Sequence, residues 1–186
     1  ARILDSAAAS RSLLKRCTKD EIRAHGGADA PSQSELLAPL LEASGKLQCL
    51  ETMLAGYHAD GKRVALVVSG DASSRSLVDV LETFVCLHGW SYERADAVKD
   101  GVAHKRALQR FSLARTADEC FILLLHTSGD RTPLTAADVV VFLQPSWDPV
   151  CHVKSLVDKM SVGLTRPATV VLLASVGAMD DYALRL

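Results

Sequence analysis

Uninterrupted apolar runs recur along this chain, and each has about the length of a β-strand. Runs without polar alternation are typical of parallel sheets, in which both faces of the sheet are covered. Amphipathic segments separate the runs, and this order predicts an α/β fold in which helices cover a mainly parallel sheet. The predicted strands are Val64–Val68, Tyr92–Arg94, Phe121–Leu125, Val139–Leu143 and Thr169–Ala174.

Helical periodicity places helices around these strands. Ser34 and Ser44 are candidate N-caps, because a serine hydroxyl can accept a hydrogen bond from an amide in the first helical turn. Pro39 lies inside one helix and is expected to shorten or kink it. The predicted helices are Ala1–Arg23, Glu35–Glu42, Lys46–Tyr57, Ser73–Leu87, His104–Phe111, Cys151–Met160 and Asp180–Leu186.

The segment from Gly56 to Lys62 fits the first seven positions of a phosphate-binding P-loop. The eighth position should be Ser or Thr, to hold magnesium, and here it is Arg63. A P-loop also follows a strand and opens a helix, whereas this segment closes a helix and opens a strand. We therefore interpret it as an ordinary helix-to-strand turn.

Composition fits one globular domain. The chain has 186 residues, of which 48% are hydrophobic and 23% charged, with a formal net charge of −1. Near-neutral charge argues against a domain-wide basic surface for nucleic acid, and no apolar segment approaches the roughly 18 residues of a membrane span. Histidines and cysteines are widely spaced, so we predict buried free thiols and no disulfide framework, metal site or cofactor. None of the histidines is assigned a catalytic role.

Several short motifs occur in an order known from one family. Ser44, Gly45 and Lys46 open a helix, Leu134 to Asp138 precedes a strand, and Ser146 to Pro149 follows it. This order resembles the second RecA-like lobe of Swi/Snf-type chromatin-remodelling ATPases, which write the last motif as Asp-Trp-Asn-Pro. The resemblance covers nearly the whole chain and implies a RecA-like three-layer α/β/α sandwich. The positions matched as structural motif residues are Ser44, Gly45, Lys46, Asp138, Trp147 and Pro149.

The same resemblance divides the chain at one place. Residues 1–43 would be a helical lead-in from a preceding lobe or linker, and residues 44–186 the lobe itself. Because the first residue is Ala1 rather than Met, we expect the sequence to be a piece of a longer protein.

The catalytic positions of the family are altered. In the family, two arginines of the helix after the last motif reach the nucleotide cleft, and the matching positions here are Asp158 and Ser161. A glycine pair that lets the backbone approach phosphate is also missing from the loop between 125 and 133, where Pro133 removes an amide donor. An arginine of this kind contributes about 10³ to 10⁵ in rate. The resemblance therefore implies a degenerate lobe without catalytic residues.

The resulting hypothesis is a binding module for chromatin-regulatory proteins in the nucleus, similar to the incomplete remodeller domains of silencing factors such as plant Morpheus' Molecule. The alternative is the second lobe of an active DNA-dependent ATPase whose first lobe lies elsewhere in a longer chain. An unrelated α/β domain is the third possibility. Lys62, Arg63, Arg94 and Lys154 are candidate nucleic-acid contacts, for weak and non-specific binding at most. Trp147 and Lys154 also have plain structural interpretations, as a packed aromatic and part of a solvated helix face.

Overall fold

A computed structural model describes residues 33–69, 74–96, 101–127, 134–144 and 167–178, together with positions 154, 158 and 180. Within these residues five parallel strands form one sheet, in the order β2-β3-β1-β4-β5. The strands are β1 (Val64–Ser69), β2 (Tyr92–Asp96), β3 (Ile122–Thr127), β4 (Val139–Phe142) and β5 (Thr169–Leu172). The helices are α1 (Gln33–Ala43), α2 (Gly45–Ala59), α3 (Arg75–Leu87) and α4 (Gly101–Leu113). The predicted class, a mainly parallel α/β sheet with helices on it, is confirmed.

Side chains of each central strand alternate between two hydrophobic clusters, because successive residues of a strand point to opposite faces. Val64, Leu66 and Val68 of β1 pack with residues of α1, α2 and α3. Ala65 and Val67 of the same strand pack on the other face, with Ala107 and Phe111 of α4 and with the 134–137 segment. Burial on both faces explains why these strands read as continuous apolar runs.

Ser44 is a helix cap, as predicted. Its hydroxyl accepts a 3.4 Å hydrogen bond from the Leu47 amide at the start of α2. The predicted cap at Ser34 is wrong, because α1 begins at Gln33 and Ser34 lies inside the helix. Pro39 does not shorten α1, which runs on to Ala43.

The P-loop-like segment is a helix-to-strand turn, as we interpreted it. Helix α2 ends at Ala59, Asp60 caps it, and Gly61 takes a φ of 66°, a left-handed conformation that glycine adopts without strain. The Lys62 amide then donates to the Tyr57 carbonyl at 2.9 Å, and β1 begins at Val64. The segment therefore ends a helix and leads into a strand, the reverse of the order in a P-loop.

Other predictions have mixed outcomes. Leu40 of α1 packs into the same core as α2 and α3, and the boundary between a lead-in at 1–43 and a lobe at 44–186 stays a prediction. The described cysteines are free, but Cys49 is exposed and Cys86 half-buried, so only Cys120 matches the predicted burial. Of the described helices, none is long and apolar enough to span a membrane. The helix predicted at Ala1–Arg23 lies outside the described residues.

Candidate functional site at the carboxyl edge of the sheet

The carboxyl ends of the parallel strands form the edge at which α/β sheets bind ligands. There His126 of β3 lies beside Asp96, the last residue of β2. Ser74 directly precedes the first residue of α3. The Ser74 hydroxyl and His126 Nε2 are hydrogen-bonded at 2.8 Å, and His126 Nδ1 lies 3.8 Å from an Asp96 carboxylate oxygen. Either Ser74 or His126 can be the donor of this hydrogen bond, depending on the tautomer of the imidazole.

This order of hydroxyl, imidazole and carboxylate is that of a nucleophilic triad. Two features give it a structural role instead. The 3.8 Å distance between His126 and Asp96 is longer than a hydrogen bond, and the His126 side chain has no solvent exposure. A buried imidazole in this position joins the start of α3 to the sheet rather than meeting a substrate.

Arg94 of β2 is the centre of a second polar group at this edge. Its guanidinium contacts the carboxylates of Asp79 at 2.7 Å and Glu82 at 2.6 Å, both on α3, and that of Asp96 at 3.5 Å. Burial by itself lowers the pKa of Arg94, but the hydrogen bonds to Glu82 and Asp79 outweigh it and the pKa is raised. Arg94 thus stays charged and fastens β2 to α3.

Tyr92 extends the same contacts along β2. Its hydroxyl donates to Glu82 at 2.8 Å and accepts from the Cys86 thiol at 3.3 Å. Burial, followed by these two hydrogen bonds, raises the pKa of Tyr92, so the phenol stays neutral. The Glu82 carboxylate therefore serves Tyr92 and Arg94 together.

Lys46 closes the other side of this edge. From the first turn of α2 its ammonium donates to the Leu143 carbonyl, just beyond β4, at 2.8 Å. It also forms an ion pair with Asp180, whose carboxylate accepts a 3.0 Å hydrogen bond from the Ser175 amide. Burial alone raises the pKa of Asp180, but the bonds from Lys46 and Ser175 outweigh it and the pKa is lowered. Lys46 thus anchors the start of α2 to the sheet edge, while Ser44 caps the same helix.

Two of the candidate nucleic-acid contacts lie at the opposite, amino edge of the sheet. Arg63 is only 6% exposed, and its guanidinium donates to the carbonyls of Phe111, at 2.9 Å, and Ala114. This burial makes Arg63 poorly placed to contact a DNA phosphate, because its guanidinium is engaged with main-chain carbonyls. Lys62 is exposed and paired with Asp60 at 2.9 Å.

Asp138 holds the same amino edge. Its carboxylate accepts from the Arg63 amide at 2.8 Å, and its own amide donates to the Arg63 carbonyl at 2.8 Å. The matched position therefore joins the starts of β1 and β4, a role that needs a short acceptor side chain directly before a strand.

Arg94 is also poorly placed for DNA. Three carboxylates surround its guanidinium, and a phosphate would have to displace them. Lys154 and Asp158 are exposed and each takes a helical conformation. Ser161, Trp147, Pro149 and the 128–133 loop lie outside the described residues.

Sequence reasoning missed His126, Ser74 and the carboxylates around Arg94. The available signal was a histidine ending a strongly apolar run, which marks a buried polar group that requires partners. Its partners are 52 and 30 positions away in sequence, too far for a spacing argument. In the part of the chain that the structure describes, no group of three or more His, Cys, Asp or Glu side chains could hold a metal ion.

Comparisons with known proteins agree with this architecture. The chain is 33% identical over 153 residues to the chromodomain-helicase-DNA-binding protein 1-like of Danio rerio, a match that covers 81% of the chain and 14% of that protein. It is 26% identical over 153 residues to the CHD3-type chromatin-remodeling factor PICKLE of Arabidopsis thaliana, covering 82% of the chain and 11% of that protein. No family model matches.

A solved structure gives the fold directly. The crystal structure of the C-terminal part of the Fun30 ATPase domain superposes with a TM-score of 0.65 at 19% identity, covering 77% of this chain and 45% of that one. The matched segment makes up only 14% of the Danio rerio protein and 11% of PICKLE, so the chain corresponds to a small part of each of these relatives. The chain has the RecA-like α/β fold of the C-terminal part of the Fun30 ATPase domain, and its sequence is similar to one segment of a chromodomain-helicase-DNA-binding protein and of a CHD3-type chromatin-remodeling factor.

Proposed function

We propose that this chain is a C-terminal lobe of the chromatin-remodeller type that does not turn over ATP and serves as a docking module. The observation that carries the proposal is Asp158, an exposed carboxylate in helical conformation at a position where the resemblance calls for arginine. A carboxylate there repels triphosphate, and phosphoryl transfer depends on neutralising the spread negative charge of the phosphates.

Electrostatics at the described part of the carboxyl edge support this proposal. Arg94 is bound by three carboxylates, and Lys46 by a carbonyl and a carboxylate. A triphosphate would have to break these pairs to gain a positive partner. The positive charges of Arg94 and Lys46 at this edge thus hold α3 and α2 in place, which supports a lobe that does not bind nucleotide.

Binding to DNA is proposed to be weak and independent of sequence. Lys62 and Lys154 are the exposed members of the candidate set, and Lys62 is already paired. Because the net charge is −1, we expect a dissociation constant for DNA in the non-specific range of about 10⁻⁴ to 10⁻⁶ M at physiological salt, or weaker binding than that. Submicromolar binding of the isolated chain to duplex DNA would contradict this.

Biologically, we place the lobe in a nuclear protein of chromatin regulation or transcriptional silencing, with chromatin-regulatory proteins as its partners. The relatives support this setting, since one is a chromodomain-helicase-DNA-binding protein and the other a CHD3-type chromatin-remodeling factor. Deleting the lobe from its full-length protein should remove partners from complexes purified from nuclei. An unchanged set of partners would show that docking is not its role.

The alternative is the second lobe of an active ATPase whose first lobe lies elsewhere in a longer protein. The well-connected scaffold around Ser44 and Lys46 favours it, since a working lobe also requires that scaffold. Gly-Lys-Thr and Asp-Glu-x-His motifs upstream in the full-length sequence would support this alternative.

Nucleotide binding and turnover provide the decisive test. We expect no thermal shift of the chain with magnesium and ATP, and no phosphate release when a remodeller first lobe is supplied in trans. Restoring both arginines, by Asp158→Arg with Ser161→Arg, should not restore turnover, because the glycine pair is still absent from the 125–133 segment. A nucleotide-dependent shift in the unmodified chain, or turnover in the double variant, would make the active alternative the better proposal.

A further inference from the structure

Strand β5 is one of the two outer strands of the sheet and pairs with β4 on its inner side. The amides of Thr169 and Leu173 donate to carbonyls directly before β4 and at its end, at 2.9 and 2.8 Å. Main-chain groups alternate in direction along a strand, so the amides and carbonyls of Val170 and Leu172 point away from β4. Within the described residues no strand lies beyond β5 to pair with them. We call these main-chain groups the open side of β5.

The other outer strand, β2, is protected in a way that β5 is not. Three of the five residues of β2 are charged, and Glu93 and Arg94 form ion pairs with α4 and α3. Strand β5 contains no charged residue and no proline, and its pairing with β4 continues without a bulge. Charges, prolines and bulges are the usual features that prevent an outer strand from pairing with another chain. Strand β5 itself has none of them.

Side chains of β5 indicate what can lie beside it. Successive side chains point to opposite faces of the sheet, and Val171 packs with the first hydrophobic cluster while Leu172 packs with the second. Val170 is 39% exposed, and Thr169 is exposed as well. A neighbouring strand would therefore meet β-branched and aliphatic side chains on both faces, which favours a segment of the same kind.

We propose that the open side of β5 binds an extended, uncharged segment of a partner protein as an additional strand of the sheet. Hydrogen bonds to the main chain of Val170 and Leu172 supply the affinity, and β-branched side chains beside Val170 and Val171 supply the selectivity. This proposal rests on the proposed function and deepens it, because it assigns the docking role to one strand and one class of partner.

A helix or a nucleic acid fits this strand less well. A helix pairs its main-chain groups internally and would leave those of Val170 and Leu172 without partners. Phosphates require cations, and residues 167–179 contain no Lys or Arg. The open side of β5 thus selects a partner that brings its own unpaired main chain.

The test is fluorescence anisotropy with the whole chain and a labelled peptide. The peptide has a Val-Thr-Val-Thr-Val core between pairs of lysines, which keep it soluble. We expect saturable binding at physiological salt. A control peptide with an N-methyl group on each core amide keeps the side chains but loses the donors, and it should not bind.

Amide hydrogen exchange measured by NMR locates the bound peptide. In the free chain, the amides of Val170 and Leu172 should exchange faster than those of Thr169 and Leu173, which are bonded to carbonyls of the β4 segment. Saturating peptide should slow exchange at Val170 and Leu172 by at least about tenfold. The amides of Thr169 and Leu173 should change less, because their partners stay the same.

Matched variants separate the open side of β5 from general surface effects. Val170→Pro removes an outward donor without removing a bond to β4, and it should weaken peptide binding by at least about tenfold. Val170→Thr keeps the donor and the β-branched shape and should bind as the parent chain does. Val176→Lys, at a position that is 93% exposed in the turn after β5, should leave binding unchanged.

The thermal unfolding midpoint shows whether each variant is folded. If Val170→Pro is not, Val170→Lys takes its place, because it keeps the main-chain donor and adds a charge to the strand. A charge on an outer strand opposes pairing with an apolar segment, so Val170→Lys should also weaken binding.

Four outcomes would overturn the proposal. They are absence of peptide binding, equal binding of the N-methylated peptide, peptide-dependent protection away from Val170 and Leu172, and a dimer of the parent chain that Val170→Pro dissociates. Light scattering detects the dimer, which would show that a second copy occupies β5. Failure of the proposed function is separately visible, because nucleotide-dependent turnover and thermal shift are measured without the peptide.

Discussion

The two edges of the sheet are held together in different ways. At the amino edge, a buried Arg63 donates to main-chain carbonyls, and Asp138 accepts from a main-chain amide. At the carboxyl edge, most of these contacts join side chains: His126 with Ser74, Arg94 with three carboxylates, and Lys46 with Asp180, although Lys46 also donates to the Leu143 carbonyl. When the side chain is removed, buried main-chain carbonyls lose their donors and cannot move to find others. Carboxylates near the surface can instead form hydrogen bonds with water.

This difference indicates which edge can change without loss of the fold. The amino edge depends on contacts of Arg63 and Asp138 with the main chain, so these residues serve stability. The carboxyl edge shares its charges among several partially exposed groups, and the functional positions of a RecA-like lobe lie there. Loss of catalytic residues at that edge is compatible with a folded lobe, as the proposed function requires.

The largest expected effect follows from removing the buried cation. Arg63→Ala should lower the free energy of unfolding by about 3 kcal/mol, because two carbonyls lose charged donors and the core loses the packed side chain. Urea unfolding followed by circular dichroism measures this. Arg115→Ala, at an exposed arginine, is the control and should change the value by less than about 0.5 kcal/mol. A loss below about 1 kcal/mol in Arg63→Ala would remove the distinction between the edges.

A smaller effect is expected at the centre of the carboxyl edge. Arg94→Met should cost about 2 kcal/mol, less than the roughly 3–5 kcal/mol of a fully buried ion pair. The reason is that the Asp79 side chain is 50% exposed and can be solvated when the guanidinium is removed. Asp79→Asn, at that exposed partner, should have little effect in the same urea titration. A cost for Arg94→Met above that for Arg63→Ala would reverse the comparison.

The Lys46–Asp180 pair makes stability depend on pH. The folded-state pKa of Asp180 is lowered from its ordinary value of 3.8, so its contribution is present above that value and is lost as pH falls through the folded pKa. The difference in unfolding midpoint between the parent chain and Asp180→Asn should therefore be constant near neutral pH and shrink below about pH 4. A difference that grows on acidification would show that the carboxylate is not stabilised by Lys46.

Thiol reactivity is the mildest probe. Burial raises the pKa of Cys120 to about 11, whereas Cys49 is exposed. The thiolate is the reactive form, so iodoacetamide near pH 8 should modify Cys49 first and Cys120 only slowly in the native chain. Peptide mass spectrometry assigns the two sites, and urea should make their rates similar. Equal native rates would mean that the strand entering β3 opens readily.

Much of the fold could be predicted locally. Continuous apolar runs indicated β1, β3, β4 and β5, and Tyr92–Arg94 was predicted as a short strand without such a run. All five strands are present, with ends that differ by a few residues. The helical stripe of Leu47, Leu50 and Leu54 and the cap at Ser44 located α2 nearly to its ends. Ser34 was misassigned because capping residues are common, and a serine alone does not fix where a helix begins. The degenerate positions Asp158 and Ser161 and the silencing role stay predictions.

Sequence by itself determined which of the described segments are strands and helices. The reason is that the hydrophobic periodicity of an element depends only on its own residues and shows which of its sides is buried. Only the tertiary structure decided the strand order β2-β3-β1-β4-β5, the burial of Arg63 and the meeting of Ser74, His126 and Asp96. These depend on which distant elements become neighbours, and no local pattern records that choice. Arg63 lies in a turn that reads as polar, yet packing of α4 places two carbonyls within its reach and makes burial favourable.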